Sequence, residues 1–350
     1  MMAGCALSQS LYGPMSEGIG RKKTLIIGSV LSVIGSIVCT YSKHINSLNV
    51  GMFILGVGIG SGSLYRCIFS DCYSGKQLSE RGAYATLLYS LMVPCATLIG
   101  GFIQDNFYWQ ANFTVLVIAF CANLVFIIVG YGETNAHMHP SKLQPAYIKR
   151  MYALVLNHTP FRGYGYCTLL TNIGYFAWMT TSPIYIIKMA GWSPSEYGKM
   201  MLYVSLISMF IGGMINSIAI KYLSVRAVLS IGWIIVFLLG LTLVVTELIY
   251  GFSPNIIIAC MFMHFLAGTL LWPNYYIEAF APFHEQSGYA NAAYSSMQLI
   301  GASLSAFILA PLPEDTAIPL GIVIMITIIL SVINHYVCVV MHPGLENSPE

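Results

Sequence analysis

The stretch GPMSEGIGRKKTLIIGSVLSVIGSIVCTY, residues 13–41, sets a glycine-rich charged turn directly against an uninterrupted apolar run. Gly13 and Gly20 permit a tight reversal of the chain. Glu17 precedes three cations, Arg21, Lys22 and Lys23, and an acid so placed can sit against the N-terminus of a neighbouring helix. From Thr24 to Tyr41 no charged residue occurs. As a helix at 1.5 Å per residue that run is about 27 Å long, close to the ~30 Å hydrocarbon core of a bilayer.

The rest of the chain repeats that unit. Of its 350 residues 57% are hydrophobic and 8% charged, against roughly a quarter charged in ordinary soluble domains; mean hydropathy is +0.74. A soluble fold of this size lacks the polar residues to coat itself, whereas a bilayer removes the need. Backbone groups in lipid must bond internally, which leaves helices or a closed barrel. Barrel strands alternate apolar and polar over about ten residues. The runs here are continuous and near twenty residues long, so they select helices.

After a short apolar segment at residues 1–15, spans are expected at Thr24–Tyr41, Leu48–Phe69, Ala83–Ile103 and Asn112–Tyr131. A polar interval, residues 132–160, holds Lys142, Lys149, Arg150, three histidines and three prolines. Six spans follow: Phe161–Ile187, Ser195–Ile220, Ala227–Leu248, Pro254–Ala279, Gly288–Leu309 and Ile318–Met341. The expected organisation is an N-terminal bundle at 1–131, a cytoplasmic central loop at 132–160, a six-helix C-terminal bundle at 161–341 and a cytoplasmic tail at 342–350. Five segments before the break, the first incomplete, against six after it lead us to expect a further helix upstream of Met1, lost through a late start or a real truncation. No cleavable signal peptide is visible.

Charge supports the count. With Glu17–Lys23 inside, that face receives Arg21, Lys22, Lys23, Arg66, Lys76, Arg81, Lys142, Lys149, Arg150, Arg162, Lys221 and Arg226, and the other only Lys43, Lys188 and Lys199. Such a bias marks the cytoplasmic side. The nine cysteines, most of them in apolar runs, form no CxxC pair or metal-spaced cluster, and read as small packing residues. No metal, cofactor or nucleic-acid site is expected. No His/Asp/Glu/Ser constellation suits an enzyme, and no phosphate-binding loop suits ATP drive.

The motifs carry a resemblance. Gly13, Glu17, Gly20, Arg21 and Lys22 resemble the loop between helices two and three of the major facilitator superfamily, with Glu17 for the family's aspartate and Gly18 for an arginine. Gly56, Gly58, Gly60 and Gly62, running into Arg66 and Asp71, resemble helix four of the bicyclomycin-resistance-type drug:proton antiporters, with Met52 and Leu55 where that branch has arginine and glutamine. Pro94, Gly100 and Gly101, then Trp109-Gln110 and Phe113, are similar to its helix-five signature and the start of helix six. Gly288–Ala292 is similar to the start of helix eleven. On composition alone the glycines read as close helix packing.

The resemblance implies an all-α facilitator fold of two pseudo-symmetric bundles and about eleven segments. It implies proton-coupled efflux of drugs or amphipathic small molecules by alternating access, in a bacterial inner membrane, as a monomer. It places Arg66 and Asp71 with the first loop in a gating network. Ionisable groups inside spans are functional candidates, so Glu278, His264 and Asp71 are the proton-coupling candidates. His264 and Glu278, fourteen residues apart on one helix, stand about 21 Å apart and belong to different sites. His335, on an expected peripheral helix, reads as structural. Aromatic walls with a few polar groups suit bulky apolar or cationic solutes; Asn172, Tyr175, Trp178, Trp272, Asn274 and Gln298 are the substrate-pathway candidates. A transporter of a specific metabolite or siderophore, and a truncated non-transporting remnant, remain as alternatives.

Overall fold

The computed structural model describes residues 1–73, 75–135, 138, 144–283 and 287–341, and only part of the side chains between 66 and 93 and at 287. Every regular element among the described residues is helical. The chain forms α1 (Met2–Gly18), α2 (Arg21–Thr40), α3 (Ile45–Ile59), a 3-10 turn (Gly60–Leu64), α4 (Tyr65–Cys72), α5 (Gly75–Asn106) and α6 (Gln110–Gly130). It continues with α7 (Pro145–Asn157), α8 (Thr159–Pro183), α9 (Pro194–Tyr222), α10 (Val225–Tyr250), α11 (Pro254–Phe280), α12 (Ser287–Leu309) and α13 (Ile318–His335). Single π-helical turns extend α8 and α13, at Ile184–Met189 and Tyr336–Val340.

Eight of the described helical stretches are long and apolar enough to cross a membrane, from Arg21–Thr40 to Ile318–Val340. The other three expected segments correspond to α1, α5 and α8. The first has only 17 residues. The third carries Arg162, Asn172 and several threonines on an otherwise sufficient length. The polar interval 132–160 is not bare loop, since it contains α7. The tail at 342–350, Lys142, and two of the interval's histidines at 137 and 139 lie outside the described residues.

The chain divides into two compact units. The first comprises Met1–Val93, Phe102–Leu156 and Glu285–Ile300. It is held by small residues that bring backbones together. A Cβ at Gly58 would collide with the backbone nitrogen of Ser32, one at Gly35 with Leu55, one at Gly56 with the carbonyl of Met1, and one at Gly60 with the Ser8 hydroxyl. Such contact replaces the hydrophobic drive that lipid abolishes. Gly62 departs from the expected packing row: it is exposed in the 3-10 turn and has nothing within 4 Å of a Cβ position. Serines line the buried face of α2, and their hydroxyls donate back one turn, Ser32 to Gly28 O at 3.0 Å and Ser36 to Ser32 O at 2.8 Å. That satisfies each hydroxyl without a second helix. The outer face of α6, with Ile118, Phe126 and Val129, is exposed and apolar, as lipid requires.

The second unit comprises Pro94–Gly101, Asn157–His284 and Gly301–Glu350. Caps place its helices: Ser193 and Glu196 form a reciprocal capping box that starts α9, and Gly251, at φ 76°, ends α10. Around α11 pack α8, α9 and α10, while α13 packs on α8 and α10. Trp178, Tyr275, Phe161, Met261 and Leu271 are fully buried in this core. The segment of α5 that belongs here meets α9 closely, so that a Cβ at Gly101 would strike the carbonyl of Pro194. Pro94, inside α5, is buried, and Gly100 is half-buried.

Candidate functional site

In the first unit the charged motif builds a network at the α1–α2 junction. Gly13 is not part of the turn; it lies within α1, where a Cβ would touch only Ala292 at 3.7 Å. The reversal is confined to Ile19 and Gly20. Gly20 has φ 101°, and a Cβ there would also collide with the Glu133 carboxylate, so this position needs glycine twice over. Arg21, 8% exposed, donates through Nε to Asp71 Oδ2 at 3.1 Å and through its guanidinium to the Ser16 hydroxyl. Thr134 Oγ1 approaches the same Asp71 oxygen at 3.4 Å, and Asn135 Nδ2 donates to Ser16 O at 3.2 Å. Glu133 accepts the backbone N–H of Arg21 at 2.8 Å and of Lys22 at 3.1 Å, and Lys22 Nζ reaches Ile128 O at 2.9 Å. Partial burial pushes the Glu133 carboxyl up, but donation from the N–H groups of Asn135, Arg21, Lys22 and Thr134 outweighs it and holds the group below the usual value.

Asp71 therefore joins Arg21, one of the partners expected for it. The side chain of Arg66 lies outside the described residues. Glu17, in the last turn of α1, faces Gly288, whose Cβ position is 3.6 Å from Glu17 Oε1. The ring of Tyr289 stacks edge-on against Tyr152 of α7, centroids 5.4 Å apart, and Tyr152 OH donates to Ser10 O at 2.7 Å. Glu133, Thr134, Asn135 and Tyr152 were absent from the sequence candidates. The one available signal was an acid three residues beyond the apolar run that ends at Gly130; its partners stand 111 and 112 residues away along the chain.

In the second unit the aromatic candidates converge. Tyr175 contacts Trp272 (centroids 4.9 Å), Phe265 (5.2 Å) and Phe176 (5.3 Å). His264, 4% exposed, lies 6.2 Å from Trp178, ring to ring. Asn172 Nδ2 donates to Thr168 O at 2.8 Å, and Asn274 Nδ2 to Leu270 O at 2.7 Å and Asn216 Oδ1 at 2.9 Å. Both amides are thus engaged by their own helices. Gln298 differs from the expected grouping: it is exposed and belongs to the first unit. Glu278 is half-buried near Tyr164 and Arg226. His335, expected to be structural, lies on the packed face of α13, its imidazole buried between Tyr164 (5.5 Å) and Trp233 (5.0 Å), while the opposite face of that helix, with Ile322, Ile326 and Ile333, is exposed.

Long apolar helices and close small-residue packing define a helical integral membrane protein. The chain belongs to the Major Facilitator Superfamily, whose family model matches residues 1–306. It is 26% identical over 337 residues to a bicyclomycin resistance protein homolog of Haemophilus influenzae, covering 95% of this chain and 83% of that protein. It is 23% identical over 333 residues to multidrug resistance protein D of Escherichia coli K12, covering 93% and 82%. Among solved structures the fold matches the human organic anion transporter MFSD10 (TM-score 0.67, 14% identity, 96% of this chain and 81% of that one). It also matches the xylose transporter XylE of E. coli in a partially occluded inward-open conformation (TM-score 0.66, 13% identity, 100% and 87%).

Proposed function

We propose that this chain is a secondary active exporter of drugs or other amphipathic small molecules, driven by protons and working by alternating access in a bacterial inner membrane. The observation that carries this reading is similarity along nearly the whole chain to proteins named for bicyclomycin and multidrug resistance. The half-buried pair Tyr175 and Trp272 is a suitable wall for such solutes, with Trp178 packed in the core behind it. Segments 1–131 and 161–341 are the rocking halves, 132–160 is the cytoplasmic connection, the C-terminus faces the cytoplasm, and the working unit is a monomer. No covalent chemistry is assigned to the chain.

Arg21, Asp71 and Ser16, with Glu133, form a latch whose pairing differs between conformations. An Asp71 paired with the buried Arg21 suits that gating role better than a free proton site. Glu278, half-buried on α11, is then the leading carboxylate for coupling, with His264 the second candidate.

Purified protein in liposomes with an imposed pH gradient tests this. Bicyclomycin and ethidium should move against their gradients while the pH gradient is dissipated. Movement of neither, with no proton flux, overturns the reading; movement of a metabolite or siderophore alone would move the chain to another substrate class.

A further inference from the structure

A small cavity lies inside the second unit, lined by Thr171 and Gly174 of α8, Val236 of α10, His264, Gly268, Leu271 and Trp272 of α11, and Thr327 and Ile328 of α13. Its volume suits about one water molecule. The lining is polar on three helices. Thr171 Oγ1 donates to Cys167 O at 2.8 Å and Thr327 Oγ1 to Ile324 O at 3.1 Å. Each hydroxyl has thus spent its hydrogen on its own helix and keeps only lone pairs. His264 Nδ1 and Trp272 Nε1 are buried and have no hydrogen-bond partner among the described residues. An unpaired polar atom in so apolar a setting is costly, and a buried water commonly resolves such a group of two to four.

We propose that this cavity is a water-binding site, in which one water molecule joins a His264 ring nitrogen to the hydroxyls of Thr171 and Thr327. The water then ties α8, α11 and α13 through one point and orients the imidazole, which makes His264 a positioning group held by solvent inside the protein. This holds whatever the chain transports.

Gly174 makes the idea testable. A Cβ there would stand 3.6 Å from His264 Cε1, 3.6 Å from Thr327 Oγ1 and 3.7 Å from Ile324 Cγ1. A methyl group fits without collision and takes the space of the water. If the cavity is dry, Gly174→Ala adds packing and helix propensity, and the unfolding temperature in detergent rises. If it holds water, the methyl expels it and leaves the imidazole unpaired, and the unfolding temperature falls by a few degrees. Thr327→Val should also lower it, and Thr327→Ser should not. The direct readout is magnetisation transfer from a long-lived water to the ring nitrogens of 15N-histidine-labelled protein in bilayers. A His264 cross-peak is expected in the native chain and its loss in Gly174→Ala. A higher unfolding temperature in Gly174→Ala, or no cross-peak in the native protein, overturns the proposal.

Discussion

The Glu133 carboxylate caps the helix that begins at Arg21, accepting the Arg21 N–H at 2.8 Å although the two residues stand 112 positions apart. The N-cap position of α2 is Gly20, which has no side chain to do this. The orphan donors of the first turn are met instead by an acid from beyond α6, and its negative charge sits at the positive end of the helix dipole. Arg21 is thereby fixed through its backbone by one acid and through its side chain by another, Asp71.

Replacing Glu133 by alanine should destabilise the protein by about 1 kcal/mol, the usual worth of an N-cap. Thermal unfolding in detergent measures it. The acid dependence has a definite sign. Because the folded carboxyl is held below its ordinary value of 4.5, its contribution is complete above that pH and is lost as pH falls through the folded value. Glu133→Gln should therefore flatten the stability curve only below about pH 4.5. An unchanged acid limb would show that the cap carries no linkage.

Asp71→Asn strands a guanidinium that is 90% buried at its side chain. It should cost about 1–3 kcal/mol, because the charged acceptor of a buried guanidinium is removed while the guanidinium stays. Arg21→Ala should cost less in the Asp71→Asn background than in the native one, by roughly 0.5–3 kcal/mol of coupling. Additive losses in the double variant would mean that the pair is structurally incidental.

Tyr152→Phe removes the hydrogen bond to Ser10 O and should cost about 1 kcal/mol. Its local signature is faster proteolysis within Pro145–Asn157 of α7, since the tyrosine hydroxyl joins that helix to α1. Equal cleavage rates in the two proteins would count against the tether.

Among the glycines of the 56–62 row, Gly58→Ala should be damaging, by about 1–3 kcal/mol, because Ser32 backbone occupies the new methyl's position. Gly62→Ala should change stability by no more than about 0.5 kcal/mol, as expected of an open surface site. Similar losses at both positions would remove the close-packing account.

Glu278→Gln should abolish most pH-gradient-driven export in proteoliposomes while leaving substrate binding intact. Full coupled export in the variant would take Glu278 out of the proton path and leave His264 as the group to examine.

The transmembrane character and the superfamily were legible in the chain because they depend on local quantities. Uninterrupted apolar length decides whether a helix can live in lipid, and a glycine-acid-cation pattern such as residues 13–23 survives as a string. The tight turn at Gly20 was legible for the same reason, and Gly13 was misplaced into it because a helix tolerates glycine where a neighbour such as Ala292 lies close. The aromatic cluster was partly legible: Tyr175, Trp178 and Trp272 share helical spacing with their neighbours, but Gln298 was grouped with them on residue type alone.

What the string could not carry is the identity of partners distant along it. Nothing local to Glu133 announces that it closes the first turn of α2, and nothing near Thr171, His264 or Thr327 shows that three helices aim them at one small space opposite Gly174. Apolar patterning specifies which faces must be hidden from water, and in a bilayer it says little about which hidden faces meet. That choice rests on backbone approach at glycines and on pairing buried polar groups, which are properties of the packed chain.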